Sequence, residues 1–282
     1  MIFNAVASRV QQALYAVASL FVAYPTPAAM DYISPLTDLQ MQVGQWATLA
    51  LIPGQSRDVA KHTVVISATH YKSPTGKEHE KLLIVLKTPR VGASASKITY
   101  VITDRGPHTD KDTLQRENPS LSASPAASSS NFFPSSPNVR ANDRIFIPGN
   151  RAPSLDRYKK DILTEYVPLC TVTLLTPMSL AQLAILLKTI NNHSIHYDLW
   201  AYQCYWYAYT AWEILRTQFG GSVTETEMQS RRGKYMGMNI RREDSVAAIT
   251  EEYRSAWQAF CEEEMRTKQK DEDAISQVNI VT

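Results

Sequence analysis

The stretch "HYDLWAYQCYWYAYTAWEIL", residues 196–215, decides the fold, because an extended polar segment changes there into an apolar helix. Cys204, Ala208, Ala211 and Leu215 recur at helical spacing and share one face, which packs inward. The Cys204 thiol then lies at the head of the helix, where free backbone N–H groups favour negative charge. The stretch therefore predicts one of two things at position 204, a small buried core residue or a nucleophile.

Composition describes an ordinary globular protein that fits one large domain. The chain has 282 residues, of which 44% are hydrophobic and 20% charged, and a formal net charge of +2. A charge so close to neutral gives no reason to expect nucleic acid as a partner. The three cysteines are widely spaced and form no CxxC pair, which argues against a structural zinc site and a disulfide framework. An intracellular, reducing location, the cytoplasm, is the simplest prediction.

The N-terminal segment, residues 1–30, predicts an added amphipathic helix. Its apolar residues recur at helical spacing, whereas Arg9, Gln11 and Gln12 lie on the opposite side. The apolar run is too short to span a bilayer, which needs about 20 residues. Two alternatives remain open, a secretory signal peptide and a helix that contacts a membrane surface. These would make the protein secreted or membrane-associated.

The remaining sequence predicts an α+β fold, with an antiparallel sheet of about five strands packed against helices. The strand candidates are residues 62–70, 81–88, 97–104, 143–149 and 167–175. Helices follow from the capping-box pattern Ser179-x-x-Gln182, from Cys204 to near Gly220, and from about Val246. A Ser- and Pro-rich stretch at about 107–142 predicts a disordered insertion within one domain, residues 31–270. Residues 271–282 predict a flexible tail.

Thiol chemistry is the function class that the motifs leave open. The sequence contains no GxSxG, P-loop, HExxH or GxGxxG motif. The basic loop around Arg231 and Arg232 is better explained as a solvated loop than as a phosphate site. A cysteine nucleophile needs a base, usually a histidine that the fold brings near. His62 and His70 stand at opposite ends of the first strand candidate, so only one of them can approach the thiol.

A resemblance to a known group of proteins favours His62. A histidine at the head of a strand, further antiparallel strands and then a helix that begins with cysteine resemble the circularly permuted papain-like fold. This group includes relatives of the NlpC-type peptidases, the lecithin–retinol acyltransferase-like proteins and the desumoylating isopeptidase-like proteins. Their pattern Y-x-L-x-x-N-N-C-x-x-F is similar to Tyr197, Leu199, Gln203, Cys204 and Tyr207. The segment also resembles uncharacterised fungal proteins with Q-C-Y-W-F/Y-A followed by R-x-G-x-Y.

The resemblance implies a cysteine-dependent hydrolase or acyltransferase with Cys204 as nucleophile and His62 as base. Substrates would be a peptide, an isopeptide or an acyl compound, without a metal or cofactor. Gln203 stands where the family has Asn, and the group that orients the histidine has no clear counterpart. Candidates for that group are His79, Thr99 and Asp104. The alternative is an inactive papain-like fold that serves as a binding or protein-interaction module.

Overall fold

The computed structural model describes residues 32–74, 78–89, 96–108, 139–149, 166–198, 202–235, 238–239 and 244–281. The predicted N-terminal helix lies outside these ranges. The predicted insertion is bounded by strand residues Pro107 and Ala141, and its residues 109–138 also lie outside them.

The centre of the fold is one antiparallel sheet of seven strands in the order β1-β5-β4-β3-β2-β6-β7. The strands are β1 (Leu39–Gln42), β2 (Val64–Lys72), β3 (Glu80–Thr88), β4 (Lys97–Pro107), β5 (Ala141–Ile147), β6 (Val167–Ser179) and β7 (Ser222–Glu225). The five predicted strands correspond to β2 to β6. The prediction of five was too low, because β1 and β7 add one short strand at each edge. Four residues carry too little alternation to be recognised in a sequence.

The described residues form five α-helices, so the α+β class is confirmed. They are α1 (Val43–Leu51), α2 (Gln55–His62), α3 (Leu180–His193), α4 (Cys204–Phe219) and α5 (Val246–Val281). The capping box is present, with Gln182 N–H donating to Ser179 Oγ at 3.2 Å and Ser179 N–H donating to Gln182 Oε1 at 2.8 Å. Helix α5 continues as far as Val281, so it includes most of the predicted tail; that the tail is flexible stays a prediction. None of the described helices is long and apolar enough to cross a membrane.

The main core lies between the sheet and the helices, and α5 contributes Ile249, Tyr253 and Phe260 to it. Helix α4 packs against β2, β3, β4 and β6. Because side chains alternate along a strand, the other face of the sheet carries a second apolar cluster around Tyr71, Leu83 and Ile102. Trp206, Tyr207 and Trp212 of α4 are buried, so the aromatic residues of the helix belong mainly to the core.

Arg105 of β4 is a fully buried cation that joins the sheet to the helices. Its guanidinium donates two hydrogen bonds to Asp143 of β5, at 2.6 and 2.7 Å. It also donates to the Ser194 carbonyl, just after α3, at 2.9 Å. The flat cation lies 4.6 Å from the Trp206 ring and 5.5 Å from the Tyr207 ring in the first turn of α4. One side chain therefore holds β5, the end of α3 and the start of α4 together.

We expect Arg105→Met to lower the free energy of unfolding by about 3–5 kcal/mol, because it leaves the Asp143 carboxylate buried without its partner. Urea unfolding followed by circular dichroism measures the change. The matched control is Arg254→Met, which removes an exposed ion pair with Glu251 and should cost about 0–1 kcal/mol. Equal losses in the two variants would contradict the role assigned to Arg105.

Candidate active site

Cys204 is the first residue of α4, as the sequence predicted. Gln203 precedes the helix in an extended conformation, and its side-chain oxygen accepts the Trp206 N–H at 3.2 Å. Because α4 packs on the sheet, its N-terminus places Cys204 at the end of the sheet where β3 begins and β4 ends. The residue is 5% exposed.

His79 is the histidine that meets this sulfur. It lies directly before β3 and is close enough to both Cys204 and Asp104 for these two side chains to change its pKa. His79 Nε2 lies 3.2 Å from Asp104 Oδ2, which leaves Nδ1 for the thiol. Burial alone would lower the pKa of His79, but the adjacent Cys204 and Asp104 raise it to about 9. The imidazole is therefore protonated at neutral pH and lies beside the sulfur.

Asp104 is the third residue of the group, after Cys204 and His79, and it remains ionised. It lies on β4 opposite Lys81 of β3, two residues from His79. Arg144 donates to both of its oxygens at 3.0 and 3.1 Å, and Lys81 Nζ is 3.5 Å away. Burial would raise the pKa of Asp104, but Arg144, His79 and Lys81 hold it well below its ordinary value. Lys81 Nζ also lies 4.6 Å from the centre of the Tyr166 ring. Tyr166 in turn is near enough to Cys204 for the two groups to interact electrostatically.

The structure does not bring His62 to Cys204. His62 is the last residue of α2, where its Nδ1 lies 2.7 Å from the Asp58 carbonyl oxygen. It precedes Val64, which pairs with Lys87, whereas His79 precedes Glu80 at the opposite end of the same strand pair. Eight residue steps at about 3.3 Å separate those ends by roughly 26 Å. The structure therefore does not support the predicted pairing of His62 with Cys204. His79 and Asp104, two of the candidates for an orienting group, lie near Cys204 instead.

Glu78, the residue directly before His79, has a strained backbone and is held by charged side chains. Glu78 has φ of 49°, a left-handed conformation that a non-glycine residue rarely adopts. Its carboxylate lies 3.3 Å from Lys72 Nζ and 3.3 Å from Arg231 Nη2. The Ser73 N–H donates to the His79 carbonyl at 2.9 Å. These contacts hold a backbone conformation that costs about 1–3 kcal/mol, and they fix the direction in which His79 leaves the turn.

Glu80 anchors the basic loop behind this turn. The buried carboxylate accepts the Gly233 N–H at 2.8 Å and lies 3.2 Å from Lys72 Nζ and 2.7 Å from His70 Nε2. Burial would raise the pKa of Glu80, but these partners lower it. Gly233 has φ of 67°, which suits glycine. Residues 231–233 of the loop therefore lie against the sheet and are not simply solvated.

The described residues contain no group of three or more His, Cys, Asp and Glu side chains arranged to hold a metal ion. Comparisons with protein-family models, curated proteins and solved structures gave no match.

We expect His79 to titrate near pH 9 and Asp104→Asn to move its pKa back toward the ordinary value. The pKa of His79 is raised on folding, so its contribution to stability is complete below pH 6.5 and is lost as the pH rises through 9. NMR of the imidazole nitrogens measures the midpoint, and Asp38→Asn, three strands away at the β1 edge, is the matched control. A wild-type midpoint at or below 6.5 would contradict the site geometry.

Proposed function

We propose that the protein is a thiol hydrolase or acyltransferase of the peptidase, isopeptidase or amidase type. Cys204 is the nucleophile, His79 is the proton carrier and Asp104 orients the imidazole. The observation that carries this proposal is the double contact of His79, with the Cys204 side chain and with Asp104 at 3.2 Å. A nucleophile, a base and a third group that orients the base are the common requirement of such enzymes.

The order of these residues supports a permuted papain-like fold. The histidine precedes one strand, the acid follows on the neighbouring antiparallel strand, and the cysteine begins a helix later in the chain. The resemblance noted in the sequence implies the same order, with His79 in the role first expected of His62. The alternative, an inactive binding module, is motivated by the missing orienting group and by the long insertion. Asp104 is a candidate for the orienting group, whereas the insertion still favours the alternative.

The reaction follows from the protonation of the site. The Cys204 thiolate adds to a substrate carbonyl carbon, and the C=O electron pair moves onto oxygen. When that pair returns, the bond to the leaving group breaks, and the His79 imidazolium donates its proton to the departing amine or alcohol. The neutral imidazole then accepts a proton from water, or from the hydroxyl or amine of another acceptor, as that molecule attacks the thioester carbonyl. The C–S bond breaks, the acyl product leaves and the Cys204 thiolate is regenerated beside the imidazolium. A reducing compartment such as the cytoplasm suits a mechanism that needs a free thiol.

Iodoacetamide labelling at neutral pH tests the nucleophile. We expect Cys204 to react at least about tenfold faster than Cys170 and Cys261, because its sulfur lies beside the His79 imidazolium. Burial raises the pKa of both other cysteines. Exposure alone ranks the three differently, since Cys261 is the most accessible and Cys204 is buried. Mass spectrometry of the labelled peptides gives the three rates separately.

His79→Ala should reduce the Cys204 rate to that of an ordinary buried thiol, whereas the matched control His62→Ala should leave it unchanged. If His62→Ala slows labelling and His79→Ala does not, the base is His62. If Cys204 reacts no faster than Cys261 in the unaltered protein, the enzyme proposal fails and the binding module becomes the better explanation.

A further inference from the structure

The basic loop, residues 231–235, contacts the two residues that flank the proposed base in the sequence. Arg231 Nη2 lies 3.3 Å from Glu78 Oε1, on the N-terminal side of the base. The Gly233 N–H donates to Glu80 Oε1 at 2.8 Å, on its C-terminal side. The loop therefore holds the segment that carries the histidine at two points, one on each side of it.

Lys72 of β2 joins the same contacts from within the sheet. Its Nζ lies 3.3 Å from Glu78 Oε2 and 3.2 Å from Glu80 Oε1, and it donates to the Lys234 carbonyl of the loop. The ammonium is fully buried and lies 4.3 Å from the Tyr205 ring in the first turn of α4. Because a buried charge is costly without its partners, this arrangement opposes movement of the loop away from the two glutamates.

Arg232 connects the loop to the helix that begins with Cys204. Its guanidinium lies 5.1 Å from the Tyr209 ring and 5.0 Å from the Trp212 ring, both of which belong to that helix. Its Nη1 lies 3.7 Å from Cys170 Sγ on β6. One short loop therefore contacts both the helix that carries the thiol and the segment that carries the histidine.

We propose that the basic loop sets the position of His79 relative to Cys204, and that Arg231 is a positioning residue that acts through Glu78. This inference rests on the proposed function, because the alignment of thiol and imidazole has a consequence only if they react together. It also gives a role to the R-x-G-x-Y pattern noted in the sequence. The arginine and the glycine of that pattern are the loop residues that contact the two flanking glutamates.

The physical reason is the strained backbone of Glu78. Its φ of 49° is unfavourable for a residue with a side chain and persists only where the surroundings hold it. A change of this φ rotates the chain directly before His79 and so redirects the imidazole. Arg231 is the accessible one of the two cations on Glu78, whereas Lys72 is buried. Its removal therefore weakens the restraint and leaves Glu78 with a partner.

Arg231→Met tests the proposal through the iodoacetamide labelling rate of Cys204 and the NMR midpoint of the His79 imidazole. We expect labelling at neutral pH to slow by roughly fivefold, the factor that a partly exposed ion pair can supply. The His79 midpoint should fall from about 9 toward 6.5, because the imidazole moves away from Asp104 and Cys204. Loss of a nearby positive charge without movement would instead raise the midpoint, so the direction of the change separates the two causes.

A double-mutant cycle identifies the route of the effect. Glu78→Gln should slow labelling at least as much as Arg231→Met, and the second substitution should add nothing to the first, because the arginine acts through this carboxylate. The matched control is Arg216→Met, which removes a partly exposed ion pair with Glu213 later in α4 and should change neither readout. Labelling of the buried Cys170 in the same samples reports unfolding.

Three results would overturn the proposal. An unchanged labelling rate and midpoint in Arg231→Met, even with a lower free energy of unfolding, would mean that the loop is only structural. A slower rate with a raised midpoint would mean that Arg231 acts by its charge alone. Additive effects of Arg231→Met and Glu78→Gln would mean that the arginine does not act through Glu78.

The failure of the proposed function is read separately. If Cys204 of the unaltered protein reacts no faster than Cys261, the enzyme proposal fails before any loop variant is measured. If the unaltered protein reacts fast and Arg231→Met reacts equally fast, the enzyme proposal stands and only the role of the loop is wrong.

Discussion

Two consecutive residues of β4, Asp104 and Arg105, position the two parts of the candidate site. Asp104 contacts His79, and Arg105 contacts the helix that begins with Cys204. Side chains alternate along a strand, so neighbours reach opposite faces of the sheet. Asp104 receives His79 on one side, while Arg105 on the other side lies under the first turn of the Cys204 helix. The proposed base, His79, and the proposed nucleophile, Cys204, belong to different elements, and a single strand sets the distance between them. Arg105 also donates a hydrogen bond to the Ser194 carbonyl, so it holds the segment that follows α3 against the same strand.

Local patterns in the sequence were enough to predict the helix that carries Cys204 and the central strands. Helical spacing and alternation need only neighbouring residues, and α4 begins at Cys204 as predicted. The first strand was placed too early, because residues 55–62 form α2 and β2 begins only at Val64. That shift of two residues moved His62 from the head of a strand to the end of a helix. The edge strands could not be predicted, because pairing with a longer neighbour, and not their own sequence, makes them strands.

His79, the base that we propose, could have been chosen from information already in the sequence. In an antiparallel meander the start of one strand lies beside the end of the next. The predicted strands 81–88 and 97–104 therefore place His79, just before the first, close to Asp104, at the end of the second. A histidine and an acid at the same edge of two adjacent strands are a stronger signal than a histidine at the head of one strand. What the sequence could not give is the position of the helix N-terminus over that edge, because it depends on packing across the whole core.

The buried charges of Lys72, Glu78 and Glu80 explain how a strained residue can keep His79, the proposed base, in position. Glu78 adopts a left-handed conformation, and relaxing it would redirect His79 away from Cys204. Lys72 opposes that relaxation, since it contacts Glu78 and Glu80 on one side and lies 4.3 Å from the Tyr205 ring on the other. Each charge is buried and would be costly alone, so the cluster tolerates little displacement. Such a cluster adds less to stability than apolar packing would, but it fixes one geometry. A reaction that needs the imidazole within hydrogen-bonding reach of the sulfur requires a single geometry more than it requires additional stability.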